Sequence, residues 1–275
     1  MSLTAIDWFA LALVVVIGLP HGAFDAAISL SMISSNKKIA RLMGILLSYL
    51  LLAVLVVLIW KQLPELSLLI FLIISVIHFG MADFSAYPTK LKWPHIIAHG
   101  GIVAIWLPIV KKKEVVELFS TLTDGVAPLL WESLTILILF WFIAGFLHLY
   151  DTFRSKHYLI TFEFIALIIL AYFAPPLLTF AVYFCFIHSR RHFTFVWEKL
   201  QPMNTKKMMI ISAVVLSVSS WVLGCCFYWY LNLYMTTSDA ALQTIFIGLA
   251  ALTVPHMMLI DLVFRPYSNK FDNKN

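Results

Sequence analysis

The chain has 275 residues, 62% of them hydrophobic and 12% charged, with a mean hydropathy of +0.93 and a formal net charge of +5. Soluble globular domains carry about 25% charged residues, so that class is excluded, and apolar stretches near twenty residues long predict an all-α, polytopic membrane protein. The positive charge is spread over loops and gives no concentrated patch for nucleic acid, and three cysteines in apolar settings are too few for a disulfide framework.

Nine spans are predicted, at 5–33, 42–60, 65–86, 94–110, 133–152, 158–174, 176–198, 208–235 and 241–263, forming a single integral membrane domain over 1–275. The first lacks a basic leader and a small-residue cleavage site, so it is expected to be retained. Gly18 and Pro20 should kink it. Residues 111–131 are the hardest to assign. Three lysines followed by Val115, Val116, Leu118 and Phe119 suggest an amphipathic helix at the interface. Pro175 and Pro176 mark a tight link between the sixth and seventh spans.

Lysines and arginines fall unevenly on alternate loops. One set holds thirteen, from Lys37 to Lys274; the other holds Lys61 and Lys111 to Lys113. The positive-inside rule then places the first set in the cytoplasm of a multi-pass inner-membrane protein, with the N-terminus outside and the C-terminus inside. The odd-numbered spans thus run inward in parallel. His21, His78, His148, His188, His192 and His256 lie on them, each about 18–25 Å below the outer end at 1.5 Å per residue. His95 and His99 approach the same layer from the fourth span, and only His157 lies in a loop.

Ionisable groups inside a membrane are costly and mark function. The segment Cys185–Thr194 concentrates them: His188 and His192 are four residues apart, on one helical face. A ligating histidine usually donates its second ring N–H to a carboxylate, and Asp25, Asp83, Asp151 and Asp261 each follow a buried histidine. They are expected to orient imidazoles, their own or those of a neighbouring span. No thiolate stands at ligand spacing, and imidazole suits iron, copper, zinc and nickel. A redox metal working with O₂ in an apolar site is the best match, with iron leading. Spacing alone leaves His148 and His256 open as ligands. Arg190 and Arg191 are expected to neutralise carboxylates such as Asp25 or Asp83.

Three motifs, Gly18–Asp25 (GLPHGAFD), His78–Asp83 (HFGMAD) and His188–His192 (HSRRH), resemble the Brp/Blh family of β-carotene 15,15′-dioxygenases. The resemblance extends over essentially the whole chain. It implies oxidative cleavage of β-carotene by O₂ at the central double bond into two molecules of retinal, on Fe²⁺ held by His21, His78, His188 and His192. It also implies a rhodopsin as the recipient of the retinal. The substrate is an apolar rod dissolved in the lipid bilayer, so a tunnel walled by aromatic and aliphatic side chains is expected. Phe24, Phe79, Tyr183, Phe184 and Phe193 are the candidate walls, with Asp25 and Asp83 as the carboxylates that orient metal ligands.

Three other readings compete. A membrane di-iron hydroxylase or desaturase would use His95–His99 and His188–His192 as paired boxes, but it needs further H-x-x-H-H pairs that the sequence lacks. A transporter would use buried His and Asp as a proton path, without metal or product. The third is a non-catalytic carotenoid- or retinal-binding partner of an opsin; a retinal-binding opsin itself would want a buried lysine, and every lysine lies in a loop or at a span end.

Overall fold

The computed structural model describes residues 2–33, 38–86, 88–201 and 205–266. In chain order its helices are α1 (Ala5–Leu13), α2 (Asp25–Met32), α3 (Lys38–Gln62), α4 (Pro64–Ala86), α5 (Lys92–Gly101), α6 (Leu107–Val110), α7 (Lys112–Thr123), α8 (Pro128–Arg154), α9 (Tyr158–Phe173), α10 (Pro176–Ala181), α11 (Ser189–Leu200), α12 (Lys206–Leu231) and α13 (Thr237–Met257). Among the described residues there is no β-strand.

Seven segments are long and apolar enough to cross a membrane: Ala5–Met32, Ala40–Gln62, Pro64–Ala86, Lys92–Val110, Pro128–Arg154, Lys206–Leu231 and Thr237–Phe264. Two of the nine expected spans fall short of that standard. Tyr158–Phe173 has only 16 residues. The seventh is broken by a π-helical stretch and is polar from Ser189 onward. Residues 112–123 form the expected amphipathic helix, with Val115, Leu118, Phe119 and Leu122 buried along one stripe.

Local chemistry sets the ends. Thr4 and Asp7 cap α1 reciprocally: Thr4 Oγ1 accepts from the Asp7 amide, and the Thr4 amide donates to Asp7 Oδ2 at 3.0 Å. Thr236 caps α13 through the Asp239 amide, and Pro128 and Pro176 start α8 and α10 where a missing N–H costs nothing. The predicted kink in the first span is a π turn, Val14–Gly18, followed by a 3₁₀ turn, Leu19–Phe24, that carries Pro20 and His21. Further π stretches at Val182–His188 and Met258–Phe264 adjoin His188 and Pro255–His256. Such bulges realign side chains and often mark functional positions.

The chain, expected from sequence to be one domain, divides into two compact units. The first comprises Met1–Val14 and Leu63–Arg191. In it α4 and α5 touch backbone to backbone, because Gly80 lies against the Ile96 carbonyl and Gly100 against that of Val76. Helix α8 closes on α5, with Trp141 Nε1 donating to the Ala98 carbonyl at 3.0 Å. The second unit comprises Val15–Gln62 and His192–Asn275. Its core is Phe24, Ala27, Ile28, Val196, Leu200, Met209, Ile260 and Phe264.

Candidate metal centre

In the first unit, α4 presents His78 and the π stretch after α10 presents His188, both fully buried. Their ring centres are 5.0 Å apart and the planes cross at 65°. An imidazole nitrogen ligates a first-row metal at about 2.1 Å, which puts the centres of two neighbouring ligand rings about 4.5–5.3 Å apart. The pair therefore fits two positions on one ion. Aromatic rings fix His188: Phe184 stacks on it at 5.8 Å and Phe79 tilts against it at 4.5 Å.

Beside this pair lies a buried polar network. Asp83 accepts from Tyr183 Oη at 3.0 Å and from Arg191 at 2.8 Å. The other arm of Arg191 grips both oxygens of Glu163 at 2.6–2.7 Å. His99 Nδ1 stands 3.5 Å from Asp83. Three further histidines are packed here: His95 stacks on His99 at 4.7 Å, and His99 Nε2 lies 3.2 Å from His148 Nε2. Thr89 meets His95 Nδ1 at 3.3 Å. This is a hydrogen-bonded histidine cluster tied to Asp83.

In the second unit, His192 and His256 are both buried, with ring centres 4.9 Å apart at 70°. This spacing too suits two ligands of one ion. Asp25, 3% exposed, places both carboxylate oxygens 2.9 Å from His256 Nδ1. The backbone at Gly22, next to His21, lies within van der Waals reach of this pair: a Cβ there would sit 3.6 Å from His256 Nδ1. The side chain of His21 lies outside the described residues. Among the described residues no three His, Cys, Asp or Glu side chains lie together at ligand spacing. What is seen is His78 with His188 in the first unit, beside the hydrogen-bonded His95–His99–His148 cluster, and His192 with His256 in the second.

The carboxylates do not simply serve the histidines nearest in sequence. Asp25 reaches across to His256. Asp83 takes Arg191, as expected for that arginine, and Tyr183. Asp151 accepts the Leu91 amide at 3.0 Å, and Asp261 pairs with Arg265 at 3.1 Å. Among the candidate walls, Phe79, Tyr183 and Phe184 are buried around His188. Phe24 belongs to the second unit's core, and Phe193 is half-exposed and stacked on Trp197 at 5.8 Å. Sequence reasoning missed Glu163, whose position in a short apolar helix was a visible signal. It also missed a cavity of about 230 Å³ in the second unit, bounded by Leu46, Leu50, Ala53, Leu216, Leu223 and Leu249 with Asp25 and His256 also lining it. Tyr49 lines it as well and donates to the Leu252 carbonyl at 3.0 Å.

A helical membrane protein with imidazoles and carboxylates sequestered in apolar segments is the class that fold and site define. Residues 12–264 match the family described as Beta-carotene 15,15′-dioxygenase, and the chain belongs to that family. It is 66% identical, over the full length of both chains, to a protein of that name from uncultured marine bacterium 66A03. No solved structure matches.

Proposed function

We propose that this chain cleaves β-carotene at its central 15,15′ double bond with O₂, giving two molecules of all-trans-retinal, on Fe²⁺ held by His21, His78, His188 and His192. The full-length match to a β-carotene 15,15′-dioxygenase carries the reaction. The buried imidazole pairs, at ligand spacing in each unit, support the metal. Iron bound by these imidazoles would supply a redox centre for O₂. Conversion of one C=C and one O₂ into two C=O groups is balanced, so no reductant or nucleotide is required.

The protein's part is to position and to exclude water. Phe79 and Phe184 hold the His188 ring and keep its surroundings apolar. Arg191, gripped by Asp83 and Glu163, anchors the segment between His188 and His192. The carotenoid reaches the site from the bilayer, and the leucine-walled cavity of the second unit is the path we assign to it. The loop charges support an inner-membrane topology with the N-terminus outside, and a rhodopsin is the recipient of the retinal.

The test uses purified protein, β-carotene and air, with retinal followed by chromatography and iron by mass spectrometry. One iron per chain and retinal as the sole cleavage product are expected. His78→Ala and His188→Ala should abolish both iron and product, and His157→Ala neither. Full turnover by metal-free protein would refute the metal; unequal apocarotenals from the wild type would refute central cleavage.

A further inference from the structure

We propose that His256 is itself a ligand of the metal, oriented by Asp25. This rests on the reading that the centre holds iron. Both Asp25 oxygens lie 2.9 Å from His256 Nδ1, so that nitrogen carries the proton and donates it. In a neutral imidazole the lone pair is then on Nε2. A carboxylate behind one nitrogen and a metal before the other is the usual way in which proteins fix a ligating histidine.

The placement agrees with that role. The His256 ring is 4.9 Å from that of His192, against 5.0 Å for His78 and His188, within the range for rings sharing an ion. His256 is 2% exposed. Gly22 brings the backbone of the turn bearing His21 against the same ring. Pro255 precedes it, and the π stretch from Met258 follows, so the helix is irregular where the imidazole must be aimed. Asp25, four residues from His21 in sequence, is thereby assigned to a histidine 231 positions distant.

A merely structural Asp25–His256 pair makes a different prediction from a ligand pair. The experiment takes iron-loaded wild type, His256→Ala, His256→Gln and Asp25→Asn, all checked for monodispersity in detergent. It measures loss of iron to a chelator and the electron paramagnetic resonance spectrum of the ferrous protein with nitric oxide. Gln keeps an N–H for Asp25, so this variant should fold even if Ala does not. Expected are iron loss at least about 10- to 100-fold faster in the His256 variants, as for loss of a metal's supporting groups, and an altered nitric oxide spectrum. Asp25→Asn should speed iron loss and leave the spectrum close to wild type. Wild-type retention and spectrum in a folded His256 variant would overturn the inference alone. A wild type that takes up no iron would overturn the reading of the centre, and this inference with it.

Discussion

At the scale of single residues, the decisive fact is that buried charge is matched. Arg191 and Asp83 are both almost wholly inaccessible and 2.8 Å apart, with Glu163 on the other side of the guanidinium. Removing one partner of a buried pair leaves an uncompensated charge, which costs about 3–5 kcal/mol. Asp83→Ala should therefore destabilise the protein by about that amount, seen as a lower unfolding midpoint in detergent. Tyr183→Phe removes one hydrogen bond to a charged acceptor and should cost less, about 1.5–3 kcal/mol. If Tyr183→Phe proved as damaging as Asp83→Ala, the hydroxyl and not the ion pair would be the anchor.

At the scale of elements, helix contacts set where the imidazoles stand. Gly80 and Gly100 let α4 and α5 meet at their backbones, and these helices carry His78, Asp83, His95 and His99. A methyl group at Gly80 would strike the Ile96 carbonyl, so the helices must part. Gly80→Ala should cost about 1–3 kcal/mol by overpacking and lower iron retention through the shift of His78. Gly44→Ala on α3 meets nothing and should be neutral or stabilising by up to about 1 kcal/mol. Equal midpoints for the two variants would count against the close contact. The elements themselves were largely legible in the sequence: apolar length gave most spans, Gly18 and Pro20 gave the break, and the stripe at 115–122 gave the amphipathic helix. Buried His78 and His188 were legible because ionisable groups in hydrocarbon are conspicuous. The partners were legible only in part. Arg191 meets Asp83, a carboxylate it was expected to neutralise, but Asp25 finds His256 through helix packing across 231 positions, which spacing within one helix does not encode. The cavity escaped because its walls are leucines, common on any lipid-facing helix.

At the scale of the whole molecule, a bilayer-dissolved rod has to reach the proposed metal centre. The cavity in the second unit lies among α3, α12 and α13. Helices α3 and α12 are apolar and almost nowhere fully buried along their spans, as helices facing lipid are. Leu50 and Leu223, on the cavity wall, are themselves at least half exposed. At the other end the lining includes Gly22, Asp25 and His256, beside His192. The lining between these ends is mostly leucine and alanine, with Tyr49, Ser217, Ser219, Ser220 and Thr253 interspersed. At about 230 Å³ the space suits a carotenoid end group or a length of polyene, not the entire molecule. Ala53 faces this space and is nearly buried. Ala53→Trp should fill it and raise KM for β-carotene about ten-fold, equivalent to about 1.4 kcal/mol of binding. Iron content is measured in parallel, so that a block of the cavity is told apart from a disturbance of Asp25 and His256, which line the same space. Leu55→Trp, on the exposed side of the same helix, should leave KM unchanged. Steady-state cleavage in lipid nanodiscs, with retinal quantified, separates the outcomes. An unaltered KM in folded Ala53→Trp would show that the carotenoid takes another route.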